Sequence, residues 1–206
     1  MPIVAVIDYG MGNIDSMRRA LEECGARVVI ARGPDDLLAV THMVLPGVGS
    51  FSAAIRHLVD VGFPSIIKTL AEEKKIPLLG VCLGMQLLAS RGEEGGVSEG
   101  LGLIQGRVTL LKETAVSERI PHVGWNEVHP VSASSRLLSG MLAGADFYFV
   151  HSYHFVTDHA SDVAASTPYC GGFSSVVEKG CVFGTQFHPE KSQRTGMKLL
   201  RNFLNV

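Results

Sequence analysis

The chain has 206 residues, 46% of them hydrophobic and 18% charged, with a formal charge of −2 and a sequence pI near 6.4. That balance excludes an intrinsically disordered chain, and the absence of a basic stripe excludes a nucleic-acid partner. At about 150 residues per domain, one domain over residues 1–206 is expected.

Ile3–Ile7 is a short apolar run suited to a strand buried on both faces. The turn Asp8-Tyr9-Gly10-Met11-Gly12-Asn13 follows, and Ile14, Met17, Leu21 and Cys24 then recur at helical spacing, with Gly25 as the stop. Arg27–Ala31 and Met43–Leu45 read as strands, the second ending at Pro46-Gly47. Residues Phe51–Val61 and Pro64–Lys74 read as helices, and Pro77–Val81 as another strand. This alternation predicts an α/β fold: a mostly parallel central sheet with helices on both faces. Beyond Gly106 the pattern changes to short strands separated by turns, at 107–111, 126–129, 147–151, 163–166, 174–178 and 181–186. They predict an antiparallel extension. A last helix follows Ser192, which is placed to cap it, with Met197, Leu200, Phe203 and Leu204 on one face.

No apolar run reaches the ~20 residues that span a bilayer, and the N-terminus lacks the basic flank of a signal peptide, so no membrane partner is expected. Cys24, Cys82, Cys170 and Cys181 are too dispersed for a disulfide framework and include no Cys-x-x-Cys pair, which predicts a reducing, cytoplasmic setting and no metal. Cys24 and Cys181 sit in apolar patterns and read as core; Cys170, beside two glycines, reads as exposed. Gly10-x-Gly12 follows a strand, but Asp15 stands where a dinucleotide fingerprint needs its third glycine, so no cofactor is expected. His151-x-x-His154 lacks a third ligand in register and reads as structural or substrate-lining.

Three segments carry chemistry. Gly80-Val81-Cys82-Leu83-Gly84 lies between a strand and a helical run and has the form of a nucleophile elbow. Such a turn projects Cys82 outward, and the helix N-terminus behind it favours a thiolate; a buried core cysteine is the alternative. Phe187-His188-Pro189-Glu190-Lys191 follows the last strand. His188 is a base matched to neutral pH, and Glu190, two residues on, projects toward the same side and could hold its tautomer. Alone, such a segment is more often a solvated loop; together with the elbow it makes a Cys–His–Glu triad. Pro46-Gly47-Val48-Gly49-Ser50-Phe51 can aim backbone N–H groups at an anion, either a tetrahedral oxyanion or a phosphate. The residues themselves reach a cysteine hydrolase with an elbow-borne nucleophile and do not separate amidase from peptidase.

Over nearly the whole chain, these segments resemble the class I (triad-type) glutamine amidotransferases. Pro121-His122-Val123-Gly124-Trp125-Asn126, Phe147-Tyr148-Phe149-Val150-His151-Ser152-Tyr153 and the Asp8–Asn13 turn narrow the resemblance to the glutaminase subunits of imidazole glycerol phosphate synthase. The resemblance implies that Cys82, His188 and Glu190 are the triad. It also implies an oxyanion hole from Leu83 and the Gly47–Val48–Gly49 loop, the latter after rearrangement, and L-glutamine contacts at Gln86, Ser152 and Tyr153. The implied partner is a (β/α)8-barrel cyclase forming a heterodimer through Asn13, Trp125, Tyr148 and Lys191 and receiving ammonia. Two other readings remain at this point: a paralogue feeding ammonia to a surface-sugar synthase, and a stand-alone cysteine hydrolase.

Overall fold

The computed structural model describes residues 1–116 and 118–206. In chain order the elements are β1 (Ile3–Ile7), α1 (Ile14–Glu23), β2 (Arg27–Ala31), β3 (His42–Gly47), α2 (Phe51–Val61), α3 (Phe63–Lys68), β4 (Leu78–Cys82), α4 (Leu83–Leu87), β5 (Arg91–Gly92) and β6 (Ser98–Glu99). There follow β7 (Gly106–Leu110), β8 (His122–Pro130), β9 (Ala145–His151), β10 (Tyr153–Thr157), β11 (Val163–Thr167), β12 (Phe173–Lys179), β13 (Val182–Thr185) and α5 (Gln193–Leu204). Nine strands form one sheet in the order β2-β1-β3-β4-β13-β12-β11-β8-β9, and β10-β7-β5-β6 form a second. The strands from β2 to β13 pair in parallel, and those from β13 to β9 are antiparallel. The α/β fold with an antiparallel extension is thus the one expected.

Alternation along the strands explains why both faces need helices. In β1, Ala5 and Ile7 pack into one apolar layer with Ala54 and Leu58 of α2 and Ile67 of α3. Val4 and Val6 point the other way, against Met17 and Leu21 of α1 and Leu199, Leu200 and Phe203 of α5. Each fully buried Val, Ile, Leu, Met or Phe among them contributes ~1.5–3 kcal/mol, which is why a five-residue strand of this composition occurs only in the sheet interior. Among the described residues, no helix is long and apolar enough to cross a membrane.

Several boundaries differ from expectation. Strand β3 runs through Pro46 and Gly47, which pair in register with Val81 and Cys82. The helix after Pro64 ends its α-geometry at Lys68 and continues as one wider turn, closed by Lys74 N–H on the Thr69 carbonyl at 3.1 Å. Strand β8 starts at His122 rather than Asn126, and β10 was not anticipated. Ser192 does not cap α5 with its hydroxyl; that group donates to the His188 carbonyl at 2.6 Å and accepts the Tyr148 N–H at 3.0 Å. Cys24 and Cys181 are only partly buried, whereas Cys170 is buried.

Candidate active site

Cys82 sits where β4 turns into α4, with φ 54° and ψ −111°, a conformation that L-residues adopt only under constraint. The flanking glycines are what permit the turn. A Cβ on Gly84 would lie 1.7 Å from the Leu45 carbonyl oxygen, and one on Gly80 would lie 2.6 Å from the Gly84 oxygen. The motif's composition is therefore dictated by the closeness of β3 and α4.

His188 leaves the end of β13 and is tied back at both backbone groups. Its N–H donates to the Tyr148 carbonyl at 2.9 Å, and its carbonyl accepts from the Ser192 hydroxyl. This turn brings His188 Nδ1 to 2.9 Å from Glu190 Oε1, with side chains 3% and 2% exposed. Burial disfavours charge on the ring, but the neighbouring Cys82 and the hydrogen-bonded Glu190 carboxylate outweigh it and push His188 up to about 10. The second ring nitrogen, Nε2, is buried and has no hydrogen-bond partner among the described residues. The arrangement is an imidazole held by a buried carboxylate beside a cysteine, which can support both nucleophilic attack and proton return.

A cavity of about 260 Å³ opens at this point, bounded by Cys82, Leu83, Gln86, Glu94, His188 and the Val150–Tyr153 segment. A larger cavity of about 670 Å³, between the 130–141 loop and the C-terminus, is lined by serines but by no cysteine, histidine or acidic side chain; chemistry rather than size selects the site. Gln86 is buried, and its Nε2 donates to the Tyr153 carbonyl at 2.9 Å and to Gln186 Oε1 at 3.1 Å. The Ser152 carbonyl is engaged by Leu111 N–H at 2.9 Å. Gln186 Nε2 in turn lies 3.9 Å from Cys82 Sγ.

Val48 and Gly49 of the glycine turn line the same cavity, and Gly47 is the register partner of Cys82. Gly47 is packed so tightly that a Cβ would stand 2.7 Å from the Tyr9 hydroxyl, and Gly49 has φ +99° with Met11 Cε 2.7 Å from its would-be Cβ. Val48 N–H donates to the Met11 carbonyl at 3.1 Å. That donor is therefore spent on the Asp8–Asn13 turn.

Trp125 and Tyr148 are register partners across β8 and β9, with ring centroids 6.1 Å apart, and Lys191 Nζ lies 5.8 Å from the Tyr148 ring. Trp125 is 48% exposed. Asn13 opens α1, which packs on the Pro189–Lys191 turn, and its side chain makes no capping bond. Sequence reasoning missed Gln186 and Glu94, which the structure places at this site. Gln186 was findable, being two residues before His188 on an extended segment; Glu94 lies in a loop with no motif around it. His151 reaches the cavity wall whereas His154 does not, and no group of metal-ligating side chains occurs among the described residues.

Residues 5–206 match the family described as glutamine amidotransferase class-I. The chain belongs to that family and is a glutamine amidotransferase. It is 45% identical over 204 residues to the imidazole glycerol phosphate synthase subunit HisH 1 of Campylobacter jejuni subsp. jejuni serotype O:23/36 (strain 81-176), covering 99% of this chain and 100% of that one. It is also 45% identical to subunit HisH of Methylococcus capsulatus (strain ATCC 33009 / NCIMB 11132 / Bath), over 99% of this chain and 96% of that protein. Among solved structures, a glutamine amidotransferase superimposes with TM-score 0.77 at 20% identity, covering 98% of this chain and 97% of the other. Thermotoga maritima PurLQS gives TM-score 0.76 at 21% identity over 99% and 98%. These two likenesses establish the fold alone.

Proposed function

We propose that the chain, acting as one domain over residues 1–206, is the glutaminase subunit of imidazole glycerol phosphate synthase. In this reading the Cys82 thiolate attacks the carboxamide carbon of L-glutamine. The tetrahedral oxyanion is met by Leu83 N–H and by an N–H of the Gly47–Gly49 loop; one such donor is typically worth ~2.7–4 kcal/mol of barrier. His188, held by Glu190, gives a proton to the departing ammonia, leaving a glutamyl thioester. It then takes a proton from water, which hydrolyses the thioester to glutamate. Glu94 has one carboxylate oxygen on Phe51 N–H at 2.8 Å, and its charge suits the α-ammonium of glutamine. Gln86, Ser152 and Tyr153 form the rest of the substrate wall.

The ammonia passes to a (β/α)8-barrel cyclase subunit seated on Trp125, Tyr148, Lys191 and Asn13, in a cytoplasmic heterodimer. Support comes above all from the His188–Glu190 pair at 2.9 Å beside a nucleophile held at positive φ. The bond from Val48 N–H to Met11 supports weak activity of the chain alone, because one oxyanion donor is engaged elsewhere. Met11 lies in the same turn as Asn13, so docking at Asn13 acts on the residue that holds that donor.

The test is glutamate release from glutamine by this chain alone, with a barrel cyclase, and with the cyclase bound to its nucleotide ligand. A low rate alone and a large rise with liganded cyclase are expected. No rise with a competent cyclase overturns the pairing, and a high rate alone overturns the gated donor.

A further inference from the structure

Behind the exposed face of β8 and β9 lies a run of side-chain hydrogen bonds that the triad does not use. Asn126 Nδ2 is 3.1 Å from His122 Nε2, His122 Nδ1 is 3.0 Å from His151 Nε2, and His151 Nδ1 is 2.8 Å from the Tyr153 carbonyl. Its direction is determined from both ends. Asn126 Oδ1 already accepts Glu127 N–H at 2.9 Å, so the amide presents its NH₂ to His122, whose Nε2 must accept. The Tyr153 carbonyl can only accept, so His151 Nδ1 carries hydrogen and its Nε2 accepts from His122 Nδ1–H. The two deductions meet without conflict at one hydrogen bond, with both rings neutral and protonated on Nδ1.

The surroundings hold this state in place. Tyr169 stacks on His122 at 4.1 Å, and Phe173 stands edge-on to His151 at 4.8 Å. Burial lowers His151 to about 3 and His122 to about 4, so neither ring takes a second proton at neutral pH. The Tyr153 carbonyl also accepts the Gln86 amide, whose other N–H reaches Gln186. The run therefore extends from β8 to the cavity wall beside Cys82.

We propose that Asn126, His122 and His151 are positioning residues that tie the docking strand β8 to the glutamine subsite, fixing the Tyr153 carbonyl and, through it, the Gln86 amide. Strand alternation places Trp125 on the outer face and His122 and Asn126 on the inner face. The same strand thus presents the proposed docking surface and anchors the relay. Neither histidine hydrogen-bonds to Cys82, His188 or Glu190. Their effect is on where the substrate wall stands, so it is read in the KM for glutamine more than in kcat.

This inference rests on the glutaminase reading above, and the experiment separates the two. Glutaminase kinetics are measured on the complex with liganded cyclase for the wild type, His122→Phe, His122→Asn and His122→Gln. Phenylalanine fills the aromatic box without a donor. Asparagine keeps an N–H near the Nδ1 position, whereas glutamine carries its amide out toward Nε2. Loss of one hydrogen bond at the wall raises KM about three- to tenfold in H122F and H122Q, with kcat changed less, and H122N stays within about twofold of wild type. Should H122F fail to fold, the contrast between H122N and H122Q decides. Equal KM values for those two, or a fall confined to kcat, overturn the relay. A wild-type complex without glutaminase activity overturns the functional reading instead.

Discussion

Replacing Glu190 with Gln tests the core of the chemistry with almost no change in shape. The carboxylate accepts from His188 Nδ1 at 2.9 Å with both side chains buried, so solvent does not substitute for it. In the variant the negative charge is gone, and the amide can turn an N–H toward Nδ1. His188 then loses its second proton or takes the wrong tautomer. General acid–base assistance of this kind is worth about 10²- to 10⁴-fold, or ~3–5 kcal/mol of barrier, so glutaminase kcat/KM of the liganded complex falls by that range. The cyclase's turnover with added ammonia serves as the control, since it bypasses the cysteine. A pH series gives an independent reading. His188 is raised from 6.5 to about 10 in the folded chain, so the stabilisation it brings is complete below 6.5 and is lost as pH rises through about 10. Without Glu190 that loss moves to lower pH, visible in urea midpoints between about pH 7 and about pH 10. A fall of less than about threefold with an unchanged alkaline limb refutes the role given to Glu190.

Gly49→Ala adds a Cβ at φ +99° that would meet Met11 Cε at 2.7 Å, and it costs about 1–2 kcal/mol in urea unfolding while lowering activation by liganded cyclase. Tyr9→Phe removes a buried hydroxyl that has no partner among the described residues, so the unfolding free energy stays level or rises; a loss above about 1 kcal/mol refutes that account. One equivalent of iodoacetamide at neutral pH labels Cys82 before Cys24 and Cys170, whose thiols are raised chiefly by burial; peptide mass mapping checks the order, and prior labelling of either refutes it. Trp125→Ala weakens cyclase binding by about 2 kcal/mol or more, as for a large half-exposed aromatic at an interface centre, with calorimetry as the readout.

Local signals were readable where one element satisfies one physical rule. The β1 run, the α1 periodicity ending at Gly25, and the glycines around Cys82 each follow from burial or backbone geometry within a few residues. Strands β8 and β10 were not readable in the same way. In β8 the outward residues Val123 and Trp125 are apolar and the inward His122 and Asn126 polar, the reverse of the usual pattern, and a single residue, Ser152, separates β9 from β10, where the chain passes from the large sheet to the small one. Ser192 has the residue type of a cap, yet its hydroxyl is claimed by Tyr148 and His188, a choice made by packing between distant segments.

The sequence by itself therefore determined the fold class, the elbow and the candidate triad, because each rests on residue types whose geometry is local. It placed His188 and Glu190 on one side of an extended segment. Only the tertiary structure decided that Cys82 stands beside them, since parallel pairing of β4 with β13 joins residues about a hundred positions apart. The tertiary structure also decided that Val48 N–H is held by Met11, that Glu94 reaches the cavity, and that Asn126, His122 and His151 line up behind β8. Each of these depends on a hydrogen-bond partner from another element, and no spacing within a segment encodes that choice.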